Sequence, residues 1–166
     1  MGITMENREE FCENIRSCEK SMYHLAFSLL KNESDAGDVV SESIYRAYKN
    51  LDTLKNKAAF KAWILRIVHN TAVELIRANS RIVLTEQMET SDEMHYEPDL
   101  TEKVTVRQAV AHLKQPYQTV IILFYYENLS TMEISRITGS SIIAVKTQLS
   151  RARKMLLDLL KEDFAI

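Results

Sequence analysis

The chain has 166 residues, 46% of them hydrophobic, with 21 Lys and Arg against 23 Asp and Glu and only 3 Gly and 2 Pro. That length holds one ordinary domain or two small ones, and so little Gly and Pro disfavours a strand-and-turn protein and favours a helical one. No apolar run approaches the ~18–20 residues that cross a bilayer, so direct membrane insertion is not expected.

The opening "MGITMENREEF" lacks the apolar core of a signal peptide, and Glu6 stands where an N-myristoylation signal wants Ser or Thr. A cytoplasmic protein is expected. Phe11, Ile15, Cys18, Met22, Leu25 and Leu29 alternate spacings of four and three, predicting an amphipathic helix that ends near Asn32. Cys12 and Cys18 point in different directions on such a helix, so buried or half-buried free thiols are expected rather than a disulfide or a metal site. Ser34 is the expected N-cap of a second helix, with Asp35 and Asp38 in its first turn, where the helix dipole favours acids. Its apolar stripe is Val40, Ile44, Ala47 and Leu51. After the polar connection "DTLKNKA" the pattern resumes at Ala58 with Phe60, Trp63, Ile64, Ile67, Val68, Thr71 and Leu75. Three helices with short connections can bury one core, which defines a first domain over residues 1–80.

Residues 81–101 set Arg81 against Glu86, Glu89, Asp92, Glu93, Glu97 and Asp99, with no sustained period and Pro98 near the end. They read as an acidic linker; an additional acidic helix is the alternative. The flanking blocks differ in charge: residues 1–80 hold 11 basic and 11 acidic side chains, residues 102–166 hold 9 basic and 6 acidic.

In the second domain, residues 102–166, helical signal returns with Val106, Ala109, Val110 and Leu113, and again after Pro116 with Val120, Ile121, Leu123 and Phe124. Ser130 and Glu133 make a capping box in "STME", Gly139 supplies a turn, and Ser141 can cap a final helix. On that helix Val145, Leu149, Ala152 and Leu156 form a narrow apolar stripe. Lys146, Thr147, Ser150, Arg151, Arg153 and Lys154 fall on the other side. Helix, glycine turn and basic-faced helix is a helix-turn-helix pattern, suited to the DNA major groove. The bland alternative is a solvated basic face on a core helix. The fold class is therefore all-α, two small helical domains joined by an acidic linker, the second containing a helix-turn-helix.

A second candidate face lies on the third helix, where Arg66, Asn70, Val73 and Arg77 are spaced four, three and four. Trp63 at its upper end reads as core. His24, His69, His95 and His112 have no metal-ligand spacing, and no phosphate loop or nucleophile motif occurs. No catalysis, metal or cofactor is expected.

With these residues in view, the chain resembles an extracytoplasmic-function sigma factor, the small sigma-70 class that keeps only regions 2 and 4. The resemblance runs through "YHLAFSLLKNESDAGDVVSESIYRAYKNLD", "AAFKAWILRIVHNTAVELIR" and "QPYQTVIILFYYENLSTMEISRITGSSIIAVKTQLSRARKML". It implies that "DAGDVVSES" is region 2.2, whose Asp38, Ser41 and Glu42 would meet the clamp helices of the largest RNA polymerase subunit. Lys55, Lys57, Lys61, Arg66, Asn70 and Arg77 become candidate contacts with the promoter −10 element. Ala144, Lys146, Thr147, Ser150 and Arg151 match the DNA-facing positions of the −35 recognition helix, and Arg153 and Lys154 extend that face. The family often has Gln at Ser41, Asp at Glu74, an apolar residue at Thr138 and a basic one at Gln148. The implied partners are core RNA polymerase, promoter DNA and an anti-sigma factor, which in many relatives is membrane-bound. A stand-alone helix-turn-helix regulator is the competing reading; it accounts for the last helix and leaves the first domain without a role.

Overall fold

The computed structural model describes residues 5–85 and 105–164, and every regular element among them is helical. Helix α1 (Met5–Leu30) buries Phe11, Ile15, Cys18, Met22 and Leu25 of the stripe its spacing predicts; Leu29 of that stripe is half-buried, and Ala26 is buried beside it. Lys31 follows in the left-handed conformation, φ 55°, a common way to end a helix.

Helix α2 (Glu33–Lys49) begins two residues earlier than the sequence pattern suggests. Its N-cap is Asn32, not Ser34: the Asn32 Oδ1 accepts from the Asp35 amide at 2.9 Å. Glu33 and Asp35 occupy the first turn, and Asp38 lies beyond it. Asn and Ser cap comparably well, so the chain direction leaving α1 decides between the two. Leu51 falls outside α2, in a 3-10 turn, Leu51–Thr53, which a second such turn, Lys57–Ala59, follows.

Helix α3 (Phe60–Thr85) buries Ile64, Leu65, Val68, Thr71 and Ala72 against α1 and α2. It runs past residue 80, where the sequence pattern closes the first domain; the first residues read as linker are helical, and residues 86–101 of that reading lie outside the described residues. Cys18 is buried, but Cys12 is exposed, contrary to expectation, because it sits one position off the α1 stripe. Trp63 is half-buried: it tilts against Phe60 at 5.6 Å and its indole N–H donates to Thr53 Oγ1 at 3.3 Å.

Helix α4 (Val106–His112) opens with a capping box between Thr105 and Gln108; Val106, assigned to the apolar stripe from its spacing, is exposed. Helix α5 (Tyr117–Ile121) passes into one π-helical turn, Ile122–Tyr126. Helix α6 (Thr131–Thr138) has the expected Ser130–Glu133 capping box and ends at Gly139, whose φ of 76° is open to glycine at no steric cost. Helix α7 (Ile142–Phe164) is capped by Ser141, whose Oγ accepts from the Ala144 amide at 3.1 Å.

Val145, Leu149 and Ala152 of α7 are buried against α4, α5 and α6. The two helical groups also meet: α6 packs along α3, and α5 touches α1. Leu149 is 2% exposed, so Leu149→Ala should leave a cavity and cost ~2–5 kcal/mol. Denaturant melts of the full chain with probes in each half will read that loss in the second domain.

Candidate nucleic-acid interface

Helix α7 has two chemically distinct sides because its apolar positions repeat every three or four residues and bind it to α4–α6. Lys146, Thr147, Ser150, Arg151, Arg153 and Lys154 are all exposed, and Ala144 is half-buried at the entry of the helix. The turn before it is knitted locally. Thr138 Oγ1 donates to the Ile134 carbonyl at 3.0 Å and accepts from the Ser140 amide at 3.3 Å, while Ser135 Oγ donates to the Ser140 carbonyl at 2.6 Å. Thr138, a departure from the apolar residue usual there, thereby ties the turn together by hydrogen bonds. Ile143, at 79% exposure, projects beside the basic face.

Arg153 differs from its neighbours. Its Nε donates to the Tyr125 hydroxyl at 2.6 Å, and its guanidinium lies 5.5 Å from the Phe124 ring centroid and 5.6 Å from that of Tyr125. Cation–π stacking at such a site is worth ~0.5–1 kcal/mol and holds the side chain along the π turn. Nothing in local spacing announces this contact, since the partners stand 28 residues apart.

On α3, Arg66, Asn70 and Arg77 are exposed and share one side, with Val73 half-buried between them. Lys55 is exposed on the connection before α3. Lys57 pairs with Glu10 of α1 at 2.8 Å. Lys61 is turned elsewhere: its Nζ lies 3.0 Å from a carboxylate oxygen of Glu127 and donates to the Glu127 carbonyl at 3.1 Å. The face read from the sequence is therefore assembled for Arg66, Asn70 and Arg77, with Lys61 committed to the second helical group.

Burial pushes the His69 imidazole below its ordinary value, a hydrogen bond with Asn70 opposing, and its Nδ1 is buried with no partner. On α2, Asp38, Ser41 and Glu42 are all exposed. Arg46 spans Glu42 at 2.8 Å and Glu74 of α3 at 2.7 Å; those two hydrogen bonds, Glu74 first, raise its pKa. This three-residue bridge ties the C-terminal half of α2 to α3. Among the described residues no group of three or more His, Cys, Asp or Glu is placed to hold a metal ion, and no helix is long and apolar enough to cross a membrane.

A helix-turn-helix with a basic outer face, carried beside a three-helix domain that shows a second basic helical face, defines a two-part DNA-binding transcription protein. Comparison with known proteins makes the class specific. The Sigma-70 region 2 profile matches residues 15–82 and the Sigma-70 region 4 profile matches residues 103–156. The chain is 34% identical to the RNA polymerase sigma factor SigV of Bacillus subtilis, over 89% of each chain. It is 27% identical to the ECF RNA polymerase sigma factor SigW of the same organism, over 90% of this chain and 88% of SigW. Its fold matches that of the sigma factor RpoE of Bartonella quintana, solved with the anti-sigma factor NepR, with a TM-score of 0.78 at 23% identity, covering 92% of this chain and 98% of that one. The chain belongs to the extracytoplasmic-function sigma factors of the sigma-70 family, the RNA polymerase subunits that bind the core enzyme and direct promoter recognition.

The His69 environment has a consequence for stability. Unfolded, its imidazole gains a proton near pH ~6.5; folded, burial delays that uptake to lower pH. Its contribution is constant above that pH and declines as pH falls, until the folded imidazole protonates too. The decline is at most about 1.4 kcal/mol per pH unit. Melting temperature against pH should fall less steeply below pH ~6.5 for His69→Gln than for the parent chain.

Proposed function

We propose that the two halves divide promoter recognition between them. Residues 102–166 read the −35 element through Lys146, Thr147, Ser150 and Arg151 on α7, with Ala144 allowing close approach and Lys154 on a neighbouring phosphate. Arg153, held by Tyr125, serves as a fixed cation at the edge of that surface. Residues 1–80 take the −10 element on Lys55, Lys57, Lys61, Arg66, Asn70 and Arg77, and present Asp38, Ser41 and Glu42 to the clamp of the largest polymerase subunit. Residues 81–101 connect the halves; their charge repels DNA. The observation that carries this reading is the outer side of α7, where six polar or basic positions from Lys146 to Lys154 are exposed directly behind a capped glycine turn.

The protein acts in the cytoplasm without catalysis of its own. A bound anti-sigma factor holds it inactive; its Bartonella quintana structural relative was solved in complex with the anti-sigma factor NepR. Each half alone carries a modest charge, and tethering on polymerase multiplies two weak contacts through effective concentration.

Lys146→Ala and Arg151→Ala should each weaken −35 binding by about 1–3 kcal/mol, since a bidentate base contact or a phosphate contact is lost. Melting should move by no more than ~0.5 kcal/mol, because both side chains are exposed. Run-off transcription from a cognate promoter with an intact or scrambled −35 element separates the two effects. Normal transcription by both variants would assign the basic face to solvent.

Charge reversal of Asp38 and Glu42 to Lys should reduce co-purification with core polymerase. Fold stability should change little, since the Glu42–Arg46 pair is exposed and such pairs are worth ~0.3–0.5 kcal/mol. Undiminished co-purification of the folded double variant would remove this surface from the polymerase contact.

A further inference from the structure

Among the described residues Ile143 is the most exposed large apolar side chain, at 79%, and it stands at the second position of α7. Val145, Leu149 and Ala152 form the buried stripe of that helix. At 3.6 residues per turn Ile143 points about 150° away from the mean direction of that stripe, so the core does not account for it. The i+4, i+7, i+8 and i+11 positions counted from it are Thr147, Ser150, Arg151 and Lys154, all exposed. An isoleucine therefore heads the row of polar and basic residues on the outer side of α7.

The polar groups at this end of the helix are engaged inside the chain. Ser141 Oγ accepts from the Ala144 amide at 3.1 Å, which caps the helix. Thr147 Oγ1 donates to the Ile143 carbonyl at 3.0 Å, so its proton is turned inward and it offers a partner an acceptor and a methyl group. Ala144 offers only a methyl. Ile143, Ala144 and Thr147 thus give the first turns of α7 an alkyl surface, with the exposed cations Lys146 and Arg151 beside it.

In a helix-turn-helix the N-terminal residues of the second helix meet base edges. On those edges in the major groove, the apolar group that marks one base is the C5-methyl of thymine. We propose that Ile143 is a specificity residue that packs on a thymine methyl of the −35 element. The proposal rests on the assignment of α7 to that element. It adds to the cations, which hold the helix on the duplex through phosphates and guanine, a contact that selects a different base. Water leaves both the isoleucine and the methyl when they meet, and burial of one such group is worth about fourfold in affinity.

The test uses holoenzyme assembled from core polymerase and the full-length chain, as parent, Ile143→Ala or Ile143→Val. Competition binding is measured on cognate promoter duplexes in which each −35 thymine is replaced singly by deoxyuridine, which removes the methyl and keeps every hydrogen bond. For the parent, at least one replacement should weaken binding about fourfold. Ile143→Ala should bind the same thymine and deoxyuridine duplexes equally, and Ile143→Val should keep part of the difference. Melting of both variants should match the parent, because the position is exposed. A variant that unfolds shows Ile143 to be structural and overturns the proposal. So does a deoxyuridine penalty that is absent from the parent or undiminished in Ile143→Ala, provided that the parent prefers the intact −35 element to a scrambled one. Equal binding of intact and scrambled elements by the parent instead means that the assignment of α7 has failed, and the thymine contact fails with it.

Discussion

The structure depends on how completely α3 is enclosed. Ile64, Leu65, Val68 and Ala72 are buried by α1 and α2, while α6 lies along another side of the same helix. Over residues 60–75 this 26-residue helix keeps only a narrow strip for solvent, and from Ile76 to Ile82 it is exposed. The strip carries Arg66 and Asn70, and Arg77 follows in the exposed part. Apolar burial thus decides which polar side chains are offered to a partner, since every position given to the core is lost to the surface.

The second domain solves the same problem on a smaller scale. Helices α5 and α6 are short, and short helices are marginal without tertiary support and good caps. The Ser130–Glu133 and Thr105–Gln108 capping boxes, the left-handed Gly139 and the hydrogen bonds around Thr138 supply the local part. Val145, Leu149 and Ala152 supply the packing. The narrowness of that apolar stripe leaves most of the α7 circumference available to exposed basic and polar residues.

Charge is arranged with similar economy. The first 80 residues are neutral in total, and the basic excess is confined to residues 102–166. Exposed cations on α7 are screened and individually weak, whereas Lys61 and Glu127 meet where burial strengthens their attraction. The exposed face of α7 and the contact between the two helical groups therefore use cations in different dielectric surroundings. The Arg46 bridge between Glu42 and Glu74 belongs to the first kind, an exposed tie that orients α2 on α3.

Much of this was legible before any coordinates. The α1 stripe, the α6 capping box, the glycine turn, the Ser141 cap and the two-sided α7 are local or periodic features, set by residues within about one helical turn of each other. The cap of α2 falls at Asn32 where the sequence reading placed it at Ser34, because both offer the same chemistry and only the chain path chooses; the extension of α3 to Thr85 and the exposure of Val106 follow from packing that no short window contains. Tertiary structure alone decided the pairings of Lys61 with Glu127, Lys31 with Gln118 and Arg153 with Tyr125. These join residues 66, 87 and 28 positions apart. Helical periodicity determines which way a side chain points from its own axis, but the partner it meets depends on where another axis has been placed.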